Sequence, residues 1–379
     1  MTGNRSLART VAAAIVGAAL LGACASAPKR PDPTPLGAVP PILQVKQAWS
    51  VQLDPVPPTF GAALAAGGVV VASADGSVAR IDVHDGRVLW RTRVAGGISA
   101  GVGSDGNFSA VVNSANQLVS LGPQGQVLWL YRLPTSVTTP PLVHRGIIVV
   151  QGADQRLWAF NAADGKQLWN LELRAPALLL QYPAGLTVDG GTVLAGDALG
   201  RIDAVSLDGG VLRWQTALAY PRGSTEVERM ISVTGSPALA GGLVCARAFD
   251  ATIGCVDTSS GALRWSVEAA GHTAVSLDAS MLVAAQGNGV VQAYAAADGH
   301  PLWNNAQLKY RRLSAPLLIG ATVAVRDYQG YVSLLSAHDG SLIGRFSTDG
   351  GAIRSPLLAD GRTMIAVTAH GGVFAYRPQ

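Results

Sequence analysis

A short phrase recurs along this chain with a period of about 40 residues. It consists of a tight turn, most often Asp-Gly, followed within a few residues by a tryptophan. Six copies of the phrase end at Trp90, Trp129, Trp169, Trp214, Trp265 and Trp303. A seventh copy starts at Asp339-Gly340 and has Gly344 where the tryptophan is expected. A fixed period of this length indicates a repeat architecture, in which each copy forms one small structural unit.

Each repeat predicts four β-strands. In the first copy, valine-rich runs at 69–73 and 78–83 are separated by Asp75-Gly76, and Asp85-Gly86 then leads into a third run. Asp-Gly between such runs is a strong hairpin signal, because glycine readily adopts the positive φ of a tight turn. A fourth strand is predicted in the connections, as after Ser355-Pro356, since proline is tolerated at the start of a strand. Four antiparallel strands per repeat are typical of one blade of a β-propeller.

The two ends of the chain complement each other. The last copy, from Thr363 onward, ends before its tryptophan strand, whereas Trp49 lies in phase with the repeat, 41 residues before Trp90. The N-terminal strand is therefore expected to complete the last blade. We predict an all-β, eight-bladed β-propeller over residues 47–379, with four-stranded antiparallel blades. Such closure leaves only short, protected sheet edges.

The repeated tryptophan is expected to pack between blades rather than to bind a ligand. A buried tryptophan removes a large apolar area from water, and its N–H needs one acceptor. Gly344 should leave a smaller contact at its interface unless Phe346 fills the space. Trp158 lies outside the pattern, and the sequence leaves open whether it faces the core or the channel.

The chain begins with a predicted signal peptide, residues 1–23. Arg5 and Arg9 give it a positive start, and residues 11–21 form an apolar stretch that is too short to span a bilayer as a helix. The stretch ends in Leu21-Gly22-Ala23-Cys24, which resembles the bacterial lipobox. The alternative is an ordinary secretory signal in which the cysteine occurs by chance.

The lipobox resemblance implies that the chain is cleaved before Cys24 and that this cysteine is lipidated. In such lipoproteins, an aspartate directly after the lipidated cysteine implies retention at the inner membrane. This chain has Ala25 at that position, which implies sorting to the outer membrane. Residues 24–46 are rich in proline and are predicted to form a semi-rigid tether. We therefore expect a lipid-anchored protein of the outer membrane whose propeller, residues 47–379, lies in the periplasm.

Two further cysteines are predicted to form a disulfide. Cys245 and Cys255 lie on neighbouring strands, and they face each other if the hairpin is centred on Asp250. Facing residues of antiparallel strands lie about 4.5–5.5 Å apart, which a disulfide can bridge. The alternative is a pair of buried thiols that pack as small apolar groups.

The composition contains little that points to chemistry. The 28 Lys and Arg residues nearly balance 24 Asp and Glu residues, which argues against nucleic-acid binding. The six histidines are scattered, and they form no metal-ligand spacing with each other or with cysteine or aspartate. We expect no catalytic residue, no metal and no cofactor, although a propeller channel can also assemble a site from residues that are distant in sequence.

The repeat phrase resembles that of the pyrroloquinoline quinone (PQQ) enzymes, which two families share. One contains the PQQ-dependent alcohol and glucose dehydrogenases. The other is the BamB family of outer-membrane assembly lipoproteins, which the chain resembles over essentially its full length. The segment Gly223-Ser224-Thr225-Glu226-Val227-Glu228-Arg229-Met230 is similar to a connection in BamB proteins. The dehydrogenases are longer and often carry a vicinal cysteine pair, which is absent here. They also need a Ca²⁺ site of carboxylate and amide ligands, and no such cluster can be named in this sequence.

The resemblance implies a binding function rather than catalysis. BamB proteins contact the periplasmic POTRA domains of BamA. In this chain, two neighbouring connections between repeats are unusually long, at 174–182 and 220–231. Insertions in repeat proteins often form the binding face. The predicted partner-binding residues are Leu178, Leu180, Gln181, Glu226, Glu228 and Arg229. Gln181 departs from the family, in which a basic residue is common at that position.

Other interpretations of these connections remain open. The leucines could begin an inner strand, and Glu228 and Arg229 could form an internal ion pair. The predicted partners are BamA, the other lipoproteins of its complex, the outer membrane through the lipid and, as a further candidate, unfolded outer-membrane proteins. The alternative functions are a periplasmic propeller that binds a glycan or cell-wall component, and a quinone-dependent dehydrogenase.

Overall fold

The computed structural model describes residues 31–40, 42–56, 61–174, 184–221, 223–225, 230–351 and 356–379. Within these ranges it contains 32 strands in eight four-stranded antiparallel sheets, which all lie in the compact unit Thr34–Gln379. The same ranges contain no helix that is long and apolar enough to cross a membrane. The predicted all-β, eight-bladed propeller is thus confirmed.

The strands of the first four blades are given from the first strand to the fourth. Blade 1 consists of β2 (Ala63–Ala65), β3 (Gly68–Ala72), β4 (Ser77–Asp82) and β5 (Val88–Arg93). Blade 2 consists of β6 (Ile98–Ser104), β7 (Ser109–Asn113), β8 (Gln117–Leu121) and β9 (Val127–Arg132). Blade 3 consists of β10 (Leu142–His144), β11 (Ile147–Gln151), β12 (Arg156–Asn161) and β13 (Gln167–Glu172). Blade 4 consists of β14 (Leu186–Asp189), β15 (Thr192–Gly196), β16 (Arg201–Ser206) and β17 (Leu212–Ala217).

The other four blades follow the same order, and the N-terminal strand closes the last of them. Blade 5 consists of β18 (Val233–Ala240), β19 (Leu243–Ala248), β20 (Thr252–Asp257) and β21 (Leu263–Glu268). Blade 6 consists of β22 (Ser276–Leu277), β23 (Met281–Ala285), β24 (Val291–Ala295) and β25 (Pro301–Asn305). Blade 7 consists of β26 (Leu317–Ile319), β27 (Thr322–Arg326), β28 (Tyr331–Ser336) and β29 (Leu342–Ser347). Blade 8 consists of β30 (Leu358–Asp360), β31 (Thr363–Val367), β32 (Gly372–Pro378) and β1 (Val45–Gln52).

The position of a strand within its blade explains its sequence. The second strands are covered by neighbouring blades on both faces, so they are continuous apolar runs, and every residue of β3 is buried. The fourth strands form the outer rim, where exposed and less exposed residues alternate, as in β5. The core therefore consists of apolar layers between successive blades.

The repeated tryptophan packs between blades, as predicted. Trp49 Nε1 donates to the Val83 carbonyl of the next blade at 2.8 Å, and its ring lies over Gly86. A Cβ on Gly86 would lie 2.8 Å from that ring, and its φ is 79°, so the turn requires glycine on both counts. The other tryptophans that donate in this way are Trp129, Trp169, Trp214, Trp265 and Trp303.

Trp90 is the exception among the seven inter-blade tryptophans. Its ring covers Gly125 in the same manner, but its buried Nε1 has no acceptor. The Trp90 ring meets the turn at 122–126, in which the Gly122 N–H donates to the Gln126 carbonyl. The turn before Trp90 itself is one residue longer, because there the Asp82 N–H donates to the Arg87 carbonyl. The shorter turn supplies no carbonyl to the indole.

The interface after blade 7 is filled by the N-terminal chain together with Phe346. A Cβ on Gly344 would lie 2.5 Å from the Leu43 carbonyl oxygen, and the N–H groups of Ile42 and Leu43 donate to the Ile343 carbonyl at 3.1 and 2.9 Å. Phe346 packs across the same interface against Tyr376 of blade 8, with ring centroids 4.3 Å apart. Position 344 is therefore glycine because a distant part of the backbone crosses it.

Part of the predicted tether also lies against the ring. The Thr34 N–H donates to the Lys309 carbonyl at 3.1 Å, and Arg311 Nη1 donates to the Thr34 carbonyl at 2.9 Å. Arg345 Nη1 donates to the Gly37 carbonyl at 2.9 Å. Thr34 and Gly37 of the predicted tether thus contact blade 7 and the chain that leads into it, and β1 begins at residue 45.

The two cysteines of blade 5 are bonded in the structure. Cys245 on β19 lies directly opposite Cys255 on β20, the Cα atoms are 4.1 Å apart, and the two residues form a disulfide. Asp250 adopts a positive φ of 47° in the turn between them. Both cysteines are fully buried, so the bond crosslinks the middle of the blade.

Candidate partner-binding surface

The order of the strands divides the ring into two faces. Because successive strands run in opposite directions, the connections between blades share one face with the turns between second and third strands. We call this the connection face. Contacts across it agree with this assignment: the Ala153 N–H in such a turn donates at 2.8 Å to Ser136, which lies in the connection between blades 2 and 3. The tryptophan turns lie on the opposite face.

The two longest connections are neighbours on the connection face. One joins β13 to β14, and the other joins β17 to β18. The predicted partner-binding residues all lie in these connections, outside the described residues: Leu178, Leu180, Gln181, Glu226, Glu228 and Arg229. Cys24 lies outside the described residues as well.

The end of the first connection meets β18, the strand that follows the second connection. Ala184 forms a parallel bridge with Gly235, and the Gly185 N–H donates to the Gly235 carbonyl at 3.0 Å. A Cβ on Gly185 would collide with Ser236, so only glycine allows this approach. Both connections thus enter the ring side by side, between the first strands of blades 4 and 5.

An exposed aromatic residue lies at the start of the second connection. Tyr220 has 77% of its surface accessible, which is the largest fraction among the large hydrophobic residues of the described ranges. The residue before it is buried, because Ala219, Ile231 and Ala248 form a small apolar cluster. Tyrosine is enriched at protein interfaces.

A buried charged cluster lies on the adjoining part of blade 4. Arg201 Nε donates to Asp197 Oδ2 at 2.6 Å, and Gln215 Nε2 donates to Asp203 Oδ1. Both aspartates are fully buried. Burial, reinforced by the nearby Asp197 carboxylate, raises the pKa of Asp203 to about 7, and burial also raises the pKa of Asp197.

Two arginines are buried on the second strands of blades 5 and 7. Arg247 Nη1 donates to the Ala270 carbonyl at 2.9 Å, and burial lowers the pKa of Arg247 to about 10. Burial lowers the pKa of Arg326 to about 8. Sequence reasoning missed these arginines and the aspartates of blade 4. The available signal was a charged residue within an apolar run, as at Asp203 between Ile202 and Ala204.

A cavity of about 450 Å³ opens on the connection face between blades 2 and 3. It is lined by Asn116, Tyr131, Arg132, Leu133, Pro134 and Trp158. Trp158 is almost fully buried and belongs to the apolar cluster of this interface, so it is a core residue with one edge at the cavity. Within the described ranges, no group of three or more His, Cys, Asp or Glu residues could hold a metal ion.

Sequence comparisons identify relatives along nearly the whole chain. The family model described as outer membrane protein assembly factor BamB matches residues 74–305 and 287–378. The chain is 39% identical over 363 residues to the outer membrane protein assembly factor BamB of Burkholderia pseudomallei, covering 95% of each chain. It is 33% identical over 350 residues to the BamB of Bordetella pertussis, covering 92% of this chain and 91% of that one.

Solved structures agree with these relatives. The crystal structure of BamB from Moraxella catarrhalis superposes with a TM-score of 0.80 at 25% identity, covering 88% of this chain and all of that one. The quinohemoprotein alcohol dehydrogenase of Comamonas testosteroni has a TM-score of 0.65 at 13% identity, which indicates a shared fold alone. From the matched family model and the close full-length relatives, the chain belongs to the BamB family of outer membrane protein assembly factors.

Proposed function

We propose that this assembly factor is a non-catalytic scaffold that docks on the POTRA domains of BamA through its two long connections, 174–182 and 220–231. In this proposal residues 1–23 are removed as a signal peptide and Cys24 carries the lipid. The residues that follow it hold the propeller in the periplasm, beside the outer membrane. More than one acyl chain is needed for stable anchoring, which lipoprotein processing supplies.

The observation that carries the proposal is the convergence of the two connections. The hydrogen bond from Gly185 to Gly235 joins the end of the first connection to β18, the strand into which the second connection leads, so residues about 50 positions apart in sequence can form one surface. The first connection contributes an apolar run and the second contributes charges. An apolar centre with a charged rim is the usual composition of a protein interface.

The rigid ring suits a scaffold. Seven tryptophan contacts and the crossing N-terminal chain join every blade to the next, so a partner bound at blades 4 and 5 is held in a fixed orientation. Docking would thereby orient the POTRA domains relative to the lipid anchor. The leucines of the first connection would supply the apolar contact, and Glu226, Glu228 and Arg229 would fix the register through charge.

Site-specific crosslinking tests this location in the intact complex. A photoreactive phenylalanine analogue in place of Tyr220 should crosslink to BamA in cells, because Tyr220 borders the second connection and is strongly exposed. The same analogue in place of Leu302, which is exposed on the rim of blade 6, is the matched control. Crosslinking to BamA from position 302 and none from position 220 would refute the proposed site.

The anchor is tested separately. Cys24→Ser should abolish incorporation of labelled palmitate and release the protein from the membrane fraction. Its ring should keep the same affinity for isolated POTRA domains, because the anchor and the docking surface are separate in sequence. Retained labelling in the Cys24→Ser variant would show that the lipid is elsewhere.

A further inference from the structure

The N-terminal chain joins the ring at a defined sector of the connection face. Thr34 donates its N–H to the Lys309 carbonyl at 3.1 Å, and its own carbonyl accepts from Arg311 Nη1 at 2.9 Å. Lys309 and Arg311 belong to the connection between β25 and β26, which lies on the connection face. Further along, the Leu43 N–H donates to the Ile343 carbonyl at the start of β29, on the opposite face. The chain therefore enters the ring at the connection face, beside blades 6 and 7.

The length of chain before this entry point limits its distance from the membrane. In the proposed function Cys24 carries the lipid, and the present inference rests on that part of it. Thr34 lies ten positions after Cys24, and ten extended residues span at most about 36 Å. The anchor therefore keeps the sector around Thr34 close to the bilayer surface.

This sector has an unusual set of exposed side chains. Four tyrosines are exposed among the described residues, and three of them lie here: Tyr310, Tyr328 and Tyr331. Arg312 is exposed, with its guanidinium 5.9 Å from the centroid of the Tyr328 ring, and Lys309 is partly exposed. Neither cation forms an ion pair with a described residue. We call these five residues the basic–aromatic patch.

A buried ion pair supports the basic–aromatic patch from beneath. Arg311 is buried, and its Nε and Nη2 lie 2.8 and 2.7 Å from Asp327 Oδ2. The Tyr328 N–H donates to the Arg311 carbonyl at 3.2 Å, which joins the two segments of the patch. On either side of Arg311, Tyr310 and Arg312 adopt positive φ values of 61° and 49°, which bulky residues rarely do. Such strain persists where the surrounding structure enforces it, and it is common at functional sites.

The opposite face of the ring carries the opposite charge. Its tryptophan turns contain two cations, Arg87 and Lys166, and five exposed aspartates: Asp85, Asp164, Asp208, Asp298 and Asp339. An anionic surface is therefore repelled by the tryptophan turns and attracted by the basic–aromatic patch.

These features fit a phospholipid surface. Lysine and arginine are attracted to anionic headgroups, and tyrosine favours the membrane–water interface, where its ring is in apolar surroundings and its hydroxyl is hydrated. We propose that the basic–aromatic patch binds the bilayer through anionic phospholipid headgroups and thereby orients the lipid-anchored ring. The cations contact headgroup phosphates, and the tyrosines lie at headgroup level. The proposed POTRA docking surface occupies a different sector of the face, at blades 4 and 5.

Vesicle cosedimentation tests this inference without the lipid anchor. The chain from residue 25 onward contains the whole compact unit Thr34–Gln379. It should bind saturably to vesicles of phosphatidylcholine with about one third phosphatidylglycerol, and weakly to phosphatidylcholine alone, because a basic residue near an anionic surface contributes about fivefold to binding. Lys309→Glu combined with Arg312→Glu should weaken binding to the anionic vesicles by about 25-fold or more.

A matched pair of substitutions separates position from net charge. Arg87→Glu combined with Lys166→Glu changes the net charge equally on the opposite face and should leave vesicle binding unchanged. Lys309→Gln combined with Arg312→Gln is a milder variant that should weaken binding in the same direction. No binding of the unmodified chain to anionic vesicles, full binding by both patch variants, or an equal loss in the control pair would overturn the proposal.

The tyrosines are tested by substitutions that leave the charge unchanged. Tyr310→Asn keeps a residue that tolerates positive φ, and Tyr328→Ser removes the second ring. Together they should weaken binding to anionic vesicles, and the loss should persist at high salt, where the contribution of the cations is screened. Unchanged binding at high salt would contradict the part assigned to the tyrosines.

Two further measurements keep this inference distinct from the proposed function. Lys309→Glu combined with Arg312→Glu should bind POTRA domains as the unmodified chain does, and its loss of POTRA binding would assign the patch to a folded partner instead of the bilayer. If Cys24→Ser abolished palmitate incorporation but the unmodified chain did not bind anionic vesicles, the anchor would stand and this inference would be wrong.

Discussion

At the scale of single residues, the chain provides its own controls. Trp129 and Trp90 occupy equivalent, partly buried positions on neighbouring blades, but only the Trp129 indole has an acceptor, the Ala162 carbonyl at 2.8 Å. The pair therefore separates the contribution of the hydrogen bond from that of ring packing.

We expect Trp129→Phe to lower the free energy of unfolding by about 1 kcal/mol more than Trp90→Phe. The first change removes one of the two hydrogen bonds to the Ala162 carbonyl, which keeps the Ser120 hydroxyl at 2.7 Å, whereas the second removes an N–H that already has no acceptor. Urea denaturation of the two variants measures the difference. Equal losses would mean that the indole hydrogen bond contributes nothing.

Asp203 predicts a pH dependence of stability. Its pKa of about 7 in the folded ring lies above its ordinary value of 3.8, so the folded state binds more protons than the unfolded state between about pH 4 and 7. This group should therefore make stability fall as pH rises through that range. Asp203→Asn should be more stable than the unmodified chain at pH 8, and the advantage should shrink toward pH 4.

Urea denaturation at several pH values tests this expectation. The loss of stability with rising pH should be smaller in Asp203→Asn than in the unmodified chain. It should not disappear, because burial raises the pKa of Asp197 as well. The groups that surround Asp203 are Asp197, Arg201 and Gln215. Thr363→Ser changes a buried residue on blade 8, far from this cluster, and serves as the control, whose pH profile should match that of the unmodified chain. Identical pH profiles for Asp203→Asn and the unmodified chain would contradict the assignment.

At the scale of strands and turns, much of the fold was predictable because its determinants are local. Asp-Gly turns and apolar runs specify hairpins from neighbouring residues, and the phase of Trp49 predicted the closing strand. Phe346 packs across the interface at Gly344, which the sequence analysis allowed, but the second neighbour of Gly344 was not foreseen. That neighbour, Leu43, is about 300 residues away in sequence, and no local pattern encodes the crossing.

This crossing reverses the usual expectation for a consensus substitution. Gly344→Trp restores the repeat and would ordinarily be stabilising. Here we expect it to lower the free energy of unfolding by about 1–3 kcal/mol, because a side chain at 344 meets the Leu43 carbonyl. In a chain that begins at residue 45, the same substitution should cost much less. A stabilised full-length variant would show that the N-terminal chain does not hold this place.

At the scale of the whole molecule, the fold and the function have different sources. A BamB structure and a quinohemoprotein dehydrogenase both superpose on this propeller, so the ring by itself does not select between a scaffold and an enzyme. The repeat spacing predicted where extra chain accumulates, at 174–182 and 220–231. It could not predict that the end of the first connection reaches Gly235 on β18, the strand that follows the second connection, because that contact joins two blades.

The central claim is that these connections form the docking surface for BamA. The most direct measurement is a calorimetric titration of the chain from residue 25 onward with purified POTRA domains of the cognate BamA. We predict saturable binding in the micromolar range or tighter. It should be lost when Leu178→Asp, Leu180→Asp and Arg229→Glu are combined, and kept when Leu89→Asp, Leu302→Asp and Arg87→Glu are combined. Undiminished binding by the first variant, or no binding by the unmodified chain, would contradict the claim.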